Sequence, residues 1–373
     1  MTAARRDPSG HDAPVPAEPA DPASRIAAWQ RRSGRHDLPW QASRDPYRIW
    51  LSEIMLQQTQ AATVIPYYRN FLVRFPDVRA LADAPLDAVL QAWAGLGYYA
   101  RARNLHRCAQ AVRDDHGGHF PRSSADLATL PGIGPSTAAA VAAFAWGERA
   151  AILDGNVRRV LARHHALEAD PGASASTRQL WAWAREWLAQ SPADLDMRAY
   201  TQGQMDLGAT VCTRTNPDCP RCPLSDDCAA RIQGRQHELP RPRMRRPQPE
   251  QSGHVIIVQC GGAVLLHRRP ERGIWGGLWS LPQFEAQDRL TAFRRDLADV
   301  DAPPLEKLAA FDHAFTHFRL HLQPWRLRLP GAPTVDTPPG HTWVPISTLH
   351  ELGMPAPIAR LLRGLYLEQP PPT

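Results

Sequence analysis

A segment rich in proline and arginine divides this 373-residue chain into two parts with different sequence patterns. It spans residues 231–252 and contains QGRQHELPRPRMRRPQPEQS, which offers almost no apolar side chain for burial. Because proline lacks a backbone donor and like charges repel, such a segment predicts an extended linker. A chain split in this way is expected to fold as separate domains.

The two parts differ in the period of their apolar residues. Residues 23–230 carry alanine-rich stretches of helical period, broken by proline and glycine pairs, and predict an all-α domain. Residues 253–368 carry short β-branched and aromatic runs such as HVIIVQ and predict an α+β domain. Residues 1–22 have no periodicity and predict a disordered tail.

Composition narrows the class of protein. The sequence has no apolar run of about 18 residues, and its first twenty residues lack a hydrophobic segment, so neither a membrane span nor a signal peptide is predicted. We therefore expect a cytoplasmic protein, associated with the nucleoid if it is bacterial. Lys and Arg total 43 against 37 for Asp and Glu, a balance that weakly favours a polyanionic partner.

Four cysteines form a compact array just before the linker. They lie in a C-x6-C-x2-C-x5-C pattern at Cys212, Cys219, Cys222 and Cys228. Thiols this close in a cytosolic protein indicate a metal site, and thiolates suit either zinc or an iron–sulfur cluster. Because zinc sites usually contain two C-x2-C pairs and this array has one, the spacing favours a [4Fe–4S] cluster. Cys108 and Cys260 are isolated and are expected to be buried.

A glycine-containing turn precedes an alanine-rich helix in LATLPGIGPSTAAAVAAFAWG, residues 127–147. Gly132 and Gly134 allow the backbone to approach a surface closely, and the helix that begins near Pro135 or Ser136 presents free N–H groups. This geometry suits a phosphate group, although an ordinary pair of antiparallel helices has the same pattern. With the cysteine array downstream, the pattern favours binding to the DNA backbone.

Two carboxylates occupy opposite environments in the sequence. In SEIMLQQTQ, Glu53 shares a helix face with apolar residues, which should raise its pKa, although a bond to Gln57 would also explain it. In AILDGNVRRVLAR, Asp154 precedes a helical pattern, where the helix N-terminus favours the ionised form and a plain N-cap is the simpler reading. Two acids whose environments separate their pKa values in this way predict a proton donor and an anionic stabiliser.

These motifs, together with LPWQ, GLGYYARARNL and MDLGATVC, resemble the MutY family of adenine DNA glycosylases in the helix–hairpin–helix endonuclease III superfamily. The resemblance covers residues 25–230 and continues more weakly beyond them. It implies an all-α helix–hairpin–helix glycosylase domain with an iron–sulfur cluster loop and a C-terminal α+β Nudix-like domain. It also implies removal of adenine opposite 8-oxoguanine or guanine in double-stranded DNA, by a protein expected to be monomeric.

The resemblance assigns roles to individual residues. Glu53 would protonate adenine, Asp154 would stabilise the sugar cation, and Asn156 would orient the acids. Residues placed in the adenine pocket are Trp40, Leu56, Gln202 and Ser136. Gln58 and Tyr98 would enter the duplex, since a base must leave the stack before it can react. The DNA backbone would be bound by the two hairpin glycines and by Arg101, Arg103 and Arg158.

The resemblance also separates two reaction types. Bifunctional relatives carry a hairpin lysine that attacks the sugar and then cleaves the strand. Here Ser136 occupies that position, and the one lysine of the chain, Lys307, lies beyond the linker. We therefore predict a monofunctional enzyme that leaves an abasic site.

The C-terminal part resembles the Nudix-like domain of the same family. Its segment GLWSLPQFEAQDRLTAFRRDL lacks the paired glutamates that bind Mg²⁺ in Nudix hydrolases, so we expect no nucleotide hydrolysis. The family reads 8-oxoguanine with a Phe-Ser-His hairpin, for which this chain has Phe315, Thr316 and His317. Two alternatives to adenine removal stay open on the sequence: a thymine glycosylase of the same fold, and a DNA-damage binding protein without catalysis.

Overall fold

The computed structural model describes residues 21–241, 247–297, 303–315, 317–331 and 337–366. Helices fill the part before the linker, as predicted. They are α1 (Pro22–Ser33), α2 (Pro46–Leu56), α3 (Ala61–Arg74), α4 (Val78–Asp83), α5 (Leu86–Ala92), α6 (Ala100–Asp115), α7 (Ser124–Leu127), α8 (Pro135–Trp146), α9 (Gly155–His164), α10 (Ser174–Gln190), α11 (Met197–Asp206) and α12 (Ala229–Ile232). Short 3₁₀ turns cover Pro39–Ala42 and Cys219–Arg221, and a π turn covers Leu207–Val211.

Strands and two longer helices make up the part after the linker. They are β1 (Glu250–Cys260), β2 (Ala263–Arg268), β3 (Trp279–Ser280), β4 (Gln283–Phe284), α13 (Gln287–Leu297), β5 (Glu306–Lys307), β6 (Phe311–Ala314), β7 (Arg319–Leu329), β8 (His341–Pro345) and α14 (Ala356–Tyr366), with a 3₁₀ turn at Ile346–Glu351. The α+β prediction is confirmed. Strand β1 begins inside the predicted linker, because its pairing with β7 starts at Glu250. The proposed tail falls almost entirely outside the described residues.

Contacts group the chain into two compact units. The first contains residues 1–36 and 142–243, and the second contains residues 37–141 and 244–373. In the first unit, α1 packs against α11 at Gly203, where an added Cβ would lie 2.8 Å from Cγ2 of Ile26. A larger residue at this position would separate the two helices.

The second unit contains a sheet of order β3-β2-β1-β7-β5 and several helices. Strands β1 and β7 run parallel over eleven residue pairs, from Glu250 with Arg319 to Cys260 with Leu329. Helix α13 packs against β1 and β4, and its Leu290 and Leu297 join Ile256, Val258 and Leu265 in the core. None of the described helices has both the length and the apolar composition needed to span a bilayer.

Candidate active site

The helix that carries Glu53 has defined ends. Asp45 caps its N-terminus by accepting a bond from Tyr47 N at 2.9 Å, and proline occupies its first turn. Glu53 is half-buried, and its neighbours Ile49 and Trp50 one turn away are 4% and 0% exposed. The predicted apolar helix face is therefore present around this carboxyl group.

Asp154 is the N-cap of α9, as predicted. Its carboxylate accepts a bond from Val157 N at 2.7 Å and lies 3.4 Å from Nδ2 of Asn156. The net direction of its pKa shift is opposite to the one predicted from the helix N-terminus. Burial raises the pKa of Asp154, and this effect exceeds the opposing hydrogen bonds and the charge of Arg159.

Two arginines of α9 connect Asn156 to the cysteine segment, which we define as residues 212–228. Arg159 donates to Oδ1 of Asn156 at 2.9 Å and to the carbonyl of Cys212 at 2.8 Å. Arg163, 2% exposed, lies 3.3 Å from Sγ of Cys212 and donates to the carbonyls of Thr213 and Arg214 at 2.6 and 3.0 Å. Sequence reasoning missed both roles. The available signal was their i,i+4 spacing among the apolar positions of VRRVLAR.

Glycine 208 lets the π turn lie directly against this helix. A Cβ at Gly208 would lie 2.4 Å from Cβ of Asn156 and 2.9 Å from its Cα. No other residue fits such a backbone approach without displacing the helix. The glycine of MDLGATVC therefore positions Asn156 and the cap that precedes it.

The four cysteines line one small pocket, with a cavity volume of about 20 Å³. All six cysteines of the chain are free, and Cys108 and Cys260 are buried as expected. Within the described parts of the chain, no three His, Cys, Asp or Glu side chains are placed to hold a metal ion. The donor set is nevertheless four soft sulfurs around one pocket, a set that fits either zinc or an iron–sulfur cluster.

The residues assigned to an adenine pocket lie in both units. Trp40 is 6% exposed and packs edge-on against Tyr68 at 5.5 Å between ring centroids, and Leu56 ends α2. Ser136 lies in the first turn of α8. Gln202 belongs to α11 in the first unit, where it is 8% exposed. The predicted start of α8 near Pro135 or Ser136 is confirmed. The adenine pocket itself stays a prediction.

A buried carboxylate that sequence reasoning missed holds Gln202. Asp206 is 0% exposed and accepts from Nε2 of Gln202 at 2.8 Å and from Nε of Arg35 at 2.8 Å. The backbone N–H of Arg35 also donates to it at 2.9 Å. Because each carboxylate oxygen is bonded, Asp206 is accommodated without water and fixes the side chain of Gln202.

The hairpin has the predicted backbone. Gly132 has φ +77°, and an added Cβ would lie 2.6 Å from Cβ of Asn104. Gly134 is exposed, and a Cβ there would meet nothing within 4 Å. The turn therefore combines one tightly packed glycine with one that leaves open space at the start of α8.

Three arginines that were assigned to DNA phosphates have different partners. Arg101 is 9% exposed and donates to backbone carbonyls, including those of Met55 and Gln57. Arg103 donates to the carbonyl of Gly276 at 2.5 Å, and Arg158 donates to the carbonyl of Pro171 at 2.5 Å and to Thr177 at 2.9 Å. For Arg101 the assignment to phosphates is corrected, because the side chain is buried and both terminal nitrogens are bonded within the chain. Arg103 and Arg158 are half-buried and use one terminal nitrogen each, so their contacts with phosphates stay a prediction.

The second unit contains a large cleft lined by Tyr98, Phe315 and His317, with a volume of about 630 Å³. Tyr98 is 44% exposed. The ring of Phe315 stacks on Phe318 at 4.5 Å and contacts Trp275 at 5.5 Å. The two segments that were assigned to 8-oxoguanine thus face one space. Thr316 lies outside the described residues.

Comparisons with known proteins agree with this arrangement. Residues 51–186 match the model of the HhH-GPD superfamily of base excision DNA repair proteins, and residues 253–364 match the NUDIX domain. The adenine DNA glycosylase of Buchnera aphidicola (strain APS) is 32% identical over 91% of this chain and 96% of its own length. The chain belongs to the adenine DNA glycosylase family.

A further relative and a solved structure also match this chain. The human adenine DNA glycosylase is 33% identical over 92% of this chain and 74% of its own length. The structure of a thermostable thymine-DNA glycosylase, 30% identical, superposes with a TM-score of 0.51 over 57% of this chain and 95% of its own. The family therefore combines a helical glycosylase fold with a Nudix-like domain, as the sequence predicted.

The raised pKa of Asp154 leads to a prediction about stability. Asn also caps helices well, so Asp154→Asn keeps the cap and removes the cost of burying a charge. Because the folded state holds the proton more tightly than the unfolded state, this cost appears as pH rises through the folded pKa. We expect Asp154→Asn to raise the melting temperature at pH 7.

Thermal unfolding at several pH values checks this expectation. The gain in melting temperature should disappear toward and below the ordinary aspartate pKa of 3.8, where both states are protonated. Asp194→Asn, at an exposed position in the same unit, serves as the control and should change little. A lower melting temperature for Asp154→Asn at pH 7 would contradict the account.

Proposed function

We propose that this protein removes adenine from double-stranded DNA at A·8-oxoguanine and A·G mispairs by hydrolysing the N-glycosidic bond. The carrying observation is the match to adenine DNA glycosylases over nearly their whole length, helical and Nudix-like parts included. Within this match the chain retains a carboxyl group on an apolar helix face and a capped, buried aspartate. Both groups are suited to breaking a bond to a sugar.

Glu53 is the proposed general acid. Its neighbours Ile49 and Trp50 exclude water from one side of the helix, which favours the proton-bearing form. Proton transfer to a ring nitrogen of the extruded adenine makes the base a neutral leaving group. The carboxylate that remains can then accept a proton from the attacking water.

Asp154 is the proposed stabiliser of the sugar cation. A positive charge that develops beside a carboxyl group favours its ionised form, so the pKa of Asp154 should fall as the glycosidic bond breaks. Asn156 keeps its amide 3.4 Å from this carboxylate, and Arg159 holds the amide oxygen. The group is thus positioned before the substrate arrives, and its charge has most effect in the transition state.

The lesion is proposed to be read in the cleft of the second unit. Tyr98 and Gln58 are exposed at two turns and would enter the base stack, while Phe315 and His317 reach the same cleft as Tyr98. Aromatic rings stack on bases, and the imidazole can bond to the oxidised purine edge. The exposed Gly134 and the start of α8 would receive a backbone phosphate.

The cysteine segment is proposed to hold a [4Fe–4S] cluster. Cys212, Cys219, Cys222 and Cys228 would be its four thiolate ligands. When bound, the cluster ties the segment together by iron–sulfur bonds. Arg163 holds the carbonyls of this segment against α9, so the segment and Asp154 are parts of one rigid element.

A thymine glycosylase is the second candidate, and the superposition on such an enzyme favours it as far as the helical fold. That structure covers 57% of this chain, whereas the match to the adenine glycosylase of Buchnera covers 91%. The longer match leaves room for the Nudix-like domain at residues 253–364 as well as the helical part, and this favours adenine as the base removed.

Base release by the Glu53→Gln variant tests the proposed acid. Glutamine keeps the shape but has no proton to donate at neutral pH, and general acid catalysis typically contributes about 10²–10⁴ in rate. We expect the single-turnover rate of adenine release from an A·8-oxoguanine duplex to decrease by a factor in that range. Binding of the duplex should be retained. Glu186→Gln, an exposed carboxyl group on α10, is the matched control.

Three outcomes of such assays would contradict the proposal. A near-normal rate for Glu53→Gln would remove Glu53 from the role of acid. If the unaltered protein releases thymine from a G·T duplex and no adenine, the thymine alternative is correct. If it binds mispairs and releases neither base, it is a binding protein.

The cluster is tested by the absorbance spectrum of the purified protein. Iron–thiolate bonds should give a brown colour and a broad band near about 400 nm. Cys222→Ser should remove this band, whereas Cys108→Ser and Cys260→Ser, at buried positions away from the array, should retain it. A colourless protein that contains zinc would contradict the assignment.

The absence of strand cleavage is tested by borohydride trapping. Lys307 is the one lysine of the chain and lies in β5, with its Nζ 5.9 Å from the ring of Trp325. We expect an abasic product without a trapped covalent adduct, with a lysine-bearing bifunctional relative as the positive control. An adduct in good yield would overturn the monofunctional prediction.

A further inference from the structure

Arg101 lies between two turns whose exposed residues have strained backbones. Gln58 has φ +58° and Tyr98 has φ +50°, in the left-handed region that non-glycine residues seldom adopt. Such backbone conformations are energetically costly and persist where the surrounding structure holds them. In the described part of the chain, Ala166 and Trp275 are the other non-glycine residues with positive φ.

One nitrogen of Arg101 holds the first turn. Its Nη1 donates to the carbonyls of Ile54, Met55 and Gln57 at 3.0, 2.8 and 2.6 Å. These groups are at the C-terminal end of α2, where carbonyls lack helical partners and carry partial negative charge. The charged guanidinium therefore completes the end of the helix immediately before Gln58.

The other terminal nitrogen reaches both turns. Nη2 donates to Oγ1 of Thr59 at 3.1 Å and to the carbonyls of Leu96 and Gly97 at 3.2 and 3.3 Å. The guanidinium carbon also lies 5.5 Å from the ring centre of Tyr98. Gln58 is thus flanked by two bonded residues, and Tyr98 is preceded by two.

The surroundings of Arg101 are unusual for a buried charge. Burial lowers its pKa to about 10, and the neighbouring Tyr98 opposes this shift in part. Its bonds are to backbone carbonyls and one hydroxyl, which are fixed in space. A group that bridges two turns in this way transmits the position of each to the other.

We propose that Arg101 is the positioning residue that holds Gln58 and Tyr98 together in the conformation that enters the duplex. The inference rests on the proposed function for the roles of those two residues. Arg101 would contact neither the base nor the sugar. Its loss should therefore impair extrusion of adenine and leave the acid of α2 in place.

The first test measures the free protein. Arg101→Lys keeps the charge but loses the fork that reaches both turns. Hydrogen exchange of the amides in residues 57–59 and 96–98 should accelerate in this variant. Arg107→Lys, an exposed arginine of the same helix bonded to Asn104, is the matched control and should leave these amides unchanged. Unchanged exchange in Arg101→Lys would overturn the proposal.

The second test combines variants in single-turnover release of adenine from an A·8-oxoguanine duplex. We expect Arg101→Lys alone to slow release about tenfold or more, equivalent to about 1.4 kcal/mol. In a Gln58→Ala/Tyr98→Ala background the same change should have almost no further effect, since the residues it positions are gone. An equal loss in both backgrounds would show a general structural role and overturn the proposal.

A milder variant covers the case in which Arg101→Lys does not fold. Thr59→Val removes the hydroxyl that accepts from Nη2 and keeps the shape of a half-buried side chain. It should show the same faster exchange at residues 57–59 and a smaller loss of release that is also absent in the double-alanine background. If exchange rises but the unaltered protein releases no adenine, the proposed function fails and the positioning role stands.

Discussion

Buried arginines bonded to backbone carbonyls hold the functional segments of this chain in place. Arg101 does so for the turns at Gln58 and Tyr98, and Arg163 does so for the cysteine segment. Burying a guanidinium without a carboxylate is costly, so each site must supply several fixed acceptors. Carbonyls at helix ends and in irregular turns are suitable because they lack regular partners.

This use of arginine means that the basic composition of the chain is not a direct measure of its contacts with a polyanionic partner. The net charge of +6 favours a polyanionic partner, and arginine supplies 42 of the 43 basic residues when Lys307 is subtracted. Guanidinium nitrogens nevertheless donate to backbone carbonyls within the protein at Arg101, Arg103 and Arg158. Lysine could not replace Arg101, because its ammonium group lacks the planar fork that reaches several carbonyls at once. Arginine content here reflects internal construction as well as attraction to phosphates.

Sequence patterns predicted most of the fold for physical reasons that act locally. The start of α8 at Pro135, the cap at Asp154 and the change from helices to strands all depend on residues close in sequence. The partners of arginines were not predictable, since they depend on contacts between distant segments. Arg163 and the carbonyl of Leu239 are 76 residues apart, and Asp206 and Arg35 are 171 apart. Nothing in the local sequence distinguishes such arginines from exposed ones.

The environment of Asp154 was predicted with the wrong sign for a related reason. A helix N-terminus favours a negative charge, and the sequence shows this feature directly. Burial of the Asp154 carboxyl group opposes the charge, and sequence does not show burial. The result suits the proposed chemistry, because an aspartate whose pKa is raised by burial is stabilised in its ionised form when a positive charge develops beside it. The same group stabilises the transition state more than the bound substrate, which is the condition for catalysis.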